Sequence, residues 1–198
     1  MKKKVTIVTT GVANIASVIA SFTRLGCDVS CSSKQKEISN SDYLVLPGVG
    51  TFSAGMNSLK QLELEDILKK RVKSQKPTFA ICLGLQLFFK SSEESKNIDG
   101  LGIIDSSVKR FPKNVRIPHF GWNKVSANSD SKIFCDGYAY FANSFYVENI
   151  CDSWAPCYTK YGQTFVSAFE KGCVAAAQFH PELSGEWGKK CIDNWLKS

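Results

Sequence analysis

Residues 78–90 read Thr-Phe-Ala-Ile-Cys-Leu-Gly-Leu-Gln-Leu-Phe-Phe-Lys, and this stretch decides the fold class. Thr78, Phe79, Ala80 and Ile81 form an apolar, β-prone run with no interruption, as expected of a strand covered on both faces. Cys82 follows, and helical spacing is expected from Leu85 to Lys90. A strand that turns directly into a helix through one reactive residue is the layout of a nucleophile elbow, and its tight turn needs small neighbours, here Ala80 and Gly84. At the start of a helix, unpaired N–H groups and the helix dipole favour a thiolate. A buried cysteine in an ordinary strand-to-helix crossover would give the same local pattern.

Working outward, strand-like and helix-like stretches alternate. Residues 5–8 (Val-Thr-Ile-Val) and 43–46 (Tyr-Leu-Val-Leu) are short strands. Residues 14–25 carry helical apolar spacing through Ile15, Val18, Ile19, Phe22 and Leu25, with Gly26 as a stop. A further helix is expected over 63–73. The βαβαβα pattern up to about residue 95 predicts an α/β fold with a mostly parallel central sheet and flanking helices. From Gly102 to Cys173 the runs are short and turn-rich, around 110–112, 139–141, 145–147 and 165–169, and predict antiparallel strands added to that core. Residues 174–179 form one more strand. Residues 185–197 form a closing helix with Trp187, Cys191 and Trp195 on one face. With no repeat, linker or low-complexity segment, a single domain over 1–198 is expected.

Composition is that of a globular protein, with 43% hydrophobic and 22% charged residues. No apolar run approaches the roughly 20 residues that span a bilayer. The Met1-Lys2-Lys3-Lys4 start leads into a stretch too short and too threonine-rich for a signal peptide, so a cytoplasmic protein with no membrane association is expected. The net charge is +7. Its lysines are scattered and not interleaved with aromatics, which fits a solvated surface, an acidic partner or a phosphorylated ligand better than nucleic acid. The eight cysteines include no Cys-x-x-Cys pair, and there are two histidines, so buried free thiols are expected and a zinc site is not.

A thiol nucleophile needs a proton carrier. His180, in Gln-Phe-His-Pro-Glu at 178–182, stands at a strand end, and Glu182 two residues on could share its side of an extended segment and orient the imidazole. A capping histidine beside a chance glutamate is the plainer reading of that segment alone. Residues 46–52, Leu-Pro-Gly-Val-Gly-Thr-Phe, place two glycines after a strand, where backbone N–H groups can face an anion. His119 is the other histidine; it lies in a turn-rich Pro-Gly segment with no carboxylate at matching spacing and is assigned to structure or to an interface.

Cys-Leu-Gly-Leu-Gln (82–86), His-Pro-Glu (180–182) and Pro-Gly-Val-Gly (47–50), in this order and spacing, resemble the class I (triad-type, flavodoxin-like) glutamine amidotransferase family. Ile-Pro-His-Phe-Gly-Trp-Asn at 117–123, the opening Gly-Val-Ala-Asn-Ile-Ala-Ser-Val at 11–18, Ser-Ser-Glu-Glu-Ser at 91–95 and Gly-Leu-Gly-Ile-Ile at 100–104 resemble, within it, the glutaminase subunits of imidazole glycerol phosphate synthases. The resemblance implies glutamine as substrate. It implies Cys82 as nucleophile, His180 as proton shuttle and Glu182 as its orienter. The N–H groups of Gly48, Val49, Gly50 and Leu83 would form the oxyanion hole, and Gln86, Glu94, Asn143 and Ser144 would bind substrate. Asn14, His119 and Trp122 would lie toward a partner. That partner would be a (βα)8-barrel cyclase subunit, in a heterodimer serving histidine biosynthesis, and no metal or organic cofactor is implied. Ala80, Asn143 and Leu183 depart from the family's usual glycine, histidine and basic residue. Alternatives remain: a paralogous glutaminase feeding another synthase, such as one making an amino sugar, a catalytically silent binding subunit, or a Cys-elbow protein of the deglycase or chaperone type.

Overall fold

The structure is a computed structural model that describes residues 2–11 and 15–198. Five strands, β1 (Lys4–Val8), β2 (Asp28–Ser32), β3 (Tyr43–Leu46), β4 (Thr78–Ile81) and β12 (Val174–Ala177), pair in the order β2-β1-β3-β4-β12, every neighbour parallel. This is the doubly wound, flavodoxin-like order. Beyond β12 the sheet turns antiparallel through β11 (Gln163–Lys171), β10 (Ala155–Tyr161), β7 (His119–Ala127) and β8 (Gly137–Asn143). A side branch of β5 (Phe89–Ser92), β6 (Ile104–Arg110) and β9 (Phe145–Val147) leaves from β11. The α/β architecture with a parallel core and added antiparallel strands is therefore as expected, although β5 and β6 of the side branch pair parallel.

Strand alternation sorts the core into two layers. Val5, Ile7, Val45, Phe79, Ile81, Ala175 and Ala177 face one side, where α1 (Ala16–Arg24) and α6 (Gly185–Lys197) cover them. Val8, Leu44, Leu46, Ala80, Val174 and Ala176 face the other, against α3 (Phe52–Gln61) and α4 (Glu65–Lys73). Trp195 of α6 anchors the first layer. It is fully buried, its ring lies 5.3 Å from Phe79 and 5.5 Å from Tyr43, and its indole N–H donates to the Cys173 carbonyl at 2.9 Å. The expected face of Trp187, Cys191 and Trp195 is thus the buried face of the helix.

Several elements differ from expectation. The helix foreseen over 85–90 is a single turn, α5 (Leu83–Gln86), after which β5 begins. Leu87, Phe88 and Phe89 are all buried, so that run carries no helical polar face, and Phe89 pairs with Ile104 and packs edge-on against Phe169. β2 went unforeseen because it is a mostly exposed edge strand of polar sequence. α2 (Gln35–Asn40) and α3 were also unforeseen. Serine, glycine and asparagine in α3 are weak helix formers, and burial of Phe52, Met56 and Leu59 outweighs them. His119 opens strand β7 and does not sit in a turn.

Truncation of Trp195 tests the packing. Trp195→Ala is expected to destabilise the chain by roughly 3–5 kcal/mol through the cavity it leaves, read as a lowered urea midpoint at unchanged m-value.

Candidate active site

Three adjacent parallel strands, β3, β4 and β12, deliver three segments to their carboxyl ends, where open α/β sheets place ligands. The register joins them: the Cys82 N–H donates to the Ala177 carbonyl at 2.7 Å, which sets the elbow level with the start of the Gln-Phe-His-Pro-Glu segment. Cys82 has φ 53° and ψ −107°, a strained conformation for a residue with a Cβ. Two glycines make the turn possible. A Cβ on Gly84 would lie 2.1 Å from the Leu46 carbonyl oxygen, and one on Gly48 would lie 2.7 Å from the Leu83 Cβ. Ala80 stays inside β4, and the positive φ falls at Cys82, so its methyl meets no backbone strain.

His180 and Glu182 meet Cys82 from β12. The chain does not stay extended past His180. Pro181 starts a single 3-10 turn (Pro181–Leu183) that folds Glu182 back, so the expected pairing forms for a different reason. His180 Nδ1 lies 2.8 Å from Glu182 Oε1, both side chains being almost wholly buried, and the imidazole feels the charge of Cys82 as well. The turn is clamped by strand β8: the His180 N–H donates to the Tyr140 carbonyl, while the Ser184 hydroxyl accepts from the Tyr140 N–H and donates to the His180 carbonyl. Burial alone would lower the basicity of His180. Its interactions with Cys82 and Glu182 outweigh that and hold it protonated up to about 10. An imidazolium beside the sulfur is the natural counter-ion of a thiolate.

A cavity of about 200 Å3 opens in front of the sulfur, lined by Val49, Gly50, Cys82, Leu83 and His180 together with all four expected substrate residues, Gln86, Glu94, Asn143 and Ser144. Glu94 Oε2 accepts from the Phe52 N–H at the start of α3 at 2.6 Å, which anchors its carboxylate at the cavity wall. Asn143 donates to the Phe145 carbonyl at 2.8 Å and keeps a buried Oδ1 without a partner. One of the expected oxyanion donors is already occupied. The Leu83 N–H donates to the Gly48 carbonyl at 3.3 Å, so a carbonyl of the glycine loop occupies the donor that an oxyanion would need.

Residues 7–198 match the family model described as glutamine amidotransferase class-I. The chain belongs to the class I glutamine amidotransferase family. A protein of Oceanobacillus iheyensis named imidazole glycerol phosphate synthase subunit HisH is 34% identical over 96% of this chain and 97% of its own length. The protein of that name from Carboxydothermus hydrogenoformans is 39% identical over 91% of this chain and 92% of its own. The chloroplastic imidazole glycerol phosphate synthase hisHF of Arabidopsis thaliana is 36% identical over 97% of this chain, which spans 34% of that longer protein. A crystallised glutamine amidotransferase superposes with a TM-score of 0.78 at 18% identity, covering 97% of both chains. A second crystallised glutamine amidotransferase, from Thermotoga maritima, gives 0.64 at 16%, covering 100% of this chain and 84% of its own. At these identities the two structures show a shared fold alone.

The amidotransferase keeps its other expected site residues in different settings. Trp122 is 58% exposed on the outer face of β7, with Phe120 and Tyr138 also exposed and Tyr140 in edge-on contact with both Phe120 and Trp122. His119, one step out of phase, points inward, the structural of the two placements expected for it, and not toward the surface of Trp122. It is stacked between Phe141 and Tyr161 at 4.6 and 3.9 Å, and burial pushes it down to about 4. Asn14 lies outside the described residues. All eight cysteines are free, but only Cys27, Cys82, Cys157 and Cys191 are buried, fewer than expected. Gln178 was overlooked. Its amide nitrogen lies 3.7 Å from the Cys82 sulfur, and the available signal was its position two residues before His180.

Only two imidazoles exist, so their titrations are separable. His119 charges only near pH 4 and His180 loses its proton only near pH 10. Neither should therefore titrate between about pH 5 and 9, unlike a free imidazole near 6.5. The stability contributed by protonated His180 is complete below about pH 6.5 and lost as pH rises through 10. Glu182→Gln should bring one imidazole resonance down toward neutrality in a histidine NMR titration, and should narrow its stability gap from wild type above pH 9.

Proposed function

We propose that this chain, as one amidotransferase domain over 1–198, is the glutaminase subunit of an imidazole glycerol phosphate synthase in histidine biosynthesis, working in the cytoplasm. The observation that carries the reading is the buried Cys82–His180–Glu182 arrangement facing a cavity that holds every expected substrate residue. The Cys82 thiolate adds to the side-chain amide carbon of glutamine. The imidazolium of His180 gives its proton to the departing nitrogen, so ammonia leaves and a glutamyl thioester remains. Neutral His180 then takes a proton from water, whose oxygen attacks the thioester; glutamate leaves, and the thiolate–imidazolium pair is restored. Glu182 keeps Nδ1 oriented and balances the imidazolium charge.

The proposed partner is a (βα)8-barrel cyclase subunit that consumes the ammonia while making imidazole glycerol phosphate and an aminoimidazole carboxamide ribotide. The name of the Arabidopsis relative joins two subunit designations in one polypeptide, which supports this pairing. The aromatic surface of Phe120, Trp122 and Tyr140 is the proposed docking face. It is covalently continuous with the strand that clamps the His180 turn, because the Tyr140 backbone makes two of that turn's hydrogen bonds. Before turnover the Pro47–Gly50 loop must turn its Gly48 carbonyl away from the Leu83 N–H, and partner binding is the proposed trigger.

Glutamate release from glutamine, with and without the barrel cyclase and its ribonucleotide substrate, tests the reading. A large rise with both present is expected. Turnover that ignores the barrel would point to a different acceptor synthase, and none under either condition would point to a silent subunit. Cys82→Ala should abolish release while leaving barrel binding intact; residual turnover within tenfold of wild type would remove Cys82 from its role. Trp122→Ala should weaken association with the barrel, by roughly 2 kcal/mol or more if it is an anchor, with no change in the melting temperature of the free chain.

A further inference from the structure

Gln178 is fully buried beside an alanine-rich strand, where an apolar side chain would pack with less desolvation. Its two side-chain hydrogen bonds both go to the active site. Nε2 faces the Cys82 sulfur at 3.7 Å, and Oε1 accepts from Gln86 Nε2 at 2.9 Å. Its main chain is fixed as well, since the Gln178 N–H donates to the Ser167 carbonyl at 2.8 Å. The three groups form a directed chain, Gln86 to Gln178 to Cys82, in which each donor points toward the sulfur.

The amide could be turned over only if sulfur supplied a proton to an oxygen. In the direction present here the sulfur is the acceptor, the role a thiolate nucleophile would need. With Nε2 spent on Gln178, Gln86 keeps its carbonyl oxygen for the cavity, an acceptor suited to an ammonium or amide N–H of the substrate. The charged and titratable groups around the sulfur are His180, Glu182 behind it, and Glu94 on the same cavity wall; none of them lies on the Gln178 amide.

We propose that Gln178 is a positioning residue for this glutaminase, its amide nitrogen holding the Cys82 sulfur toward the cavity while its carbonyl oxygen fixes the amide of Gln86. The inference rests on the reading of Cys82 as nucleophile. It assigns Gln178 two coupled effects: a more available thiolate and a preset glutamine-binding side chain.

The test is the pH profile of Cys82 alkylation by iodoacetamide in the full chain, followed on the Cys82 peptide by mass spectrometry so that the other seven cysteines do not interfere. Gln178→Met keeps the volume and removes the donor. Its alkylation midpoint should rise by about one pH unit, with a roughly tenfold slower rate on the acid side of the midpoint, and the KM for glutamine in the assembled synthase should rise as Gln86 loosens. If Gln178→Met fails to fold, Gln86→Met, which cuts the far link, should move the profile in the same direction by less. A profile superimposed on wild type overturns the inference, because a side chain that merely packs would not move it. His180→Asn in the same assay separates the two failures. If its profile shifts while that of Gln178→Met does not, only the inference falls. If neither shifts and Cys82→Ala still releases glutamate, the nucleophile assignment falls with it.

Discussion

The close approach of the Cys82 elbow to the end of β3 is the constraint on which the carboxyl edge of the sheet depends. With any side chain at Gly84, the helix after Cys82 would collide with the Leu46 carbonyl, and at Gly48 the loop would collide with Leu83. These two contacts bring the donor loop and the elbow within one hydrogen bond of each other. They also hold Cys82 in a backbone conformation that costs on the order of 1–3 kcal/mol. The two-layer core around Trp195 and around α3 and α4 is what sustains that strain.

The charge pattern follows from the same geometry. His180 and His119 are both buried, yet one is driven up and the other down. The difference is partners. His180 faces a carboxylate and a sulfur, whereas His119 faces two aromatic rings and an asparagine amide. Burial pushes both imidazoles down, and only His180 has neighbours that reverse the sign.

The parallel core was legible because its strands are short, apolar and bounded by turn residues, and the closing helix because its apolar spacing is clean over thirteen residues. The grouping of Cys82, His180 and Glu182 was legible because these side chains stood at strand ends in a chain with two histidines. What stayed hidden depended on tertiary context. α3 is helical against its own propensity, β2 is an exposed edge, and β5 borrows its conformation from β6. His119 showed no periodic partner to indicate that β7 turns it inward. Gln178 looked like strand filler, and only the register between β4 and β12 places its amide against sulfur.

The hydrogen bond from Leu83 to Gly48 is long and joins two neutral groups, so its net contribution is on the order of 1 kcal/mol. A latch that weak makes the site a balance and not a lock. A bias of about 1 kcal/mol is only a roughly fivefold preference, which one well-packed aromatic anchor at an interface can outweigh. Small sequence changes in residues 47–50 would therefore alter how the Leu83 N–H is presented without touching Cys82, His180 or Glu182.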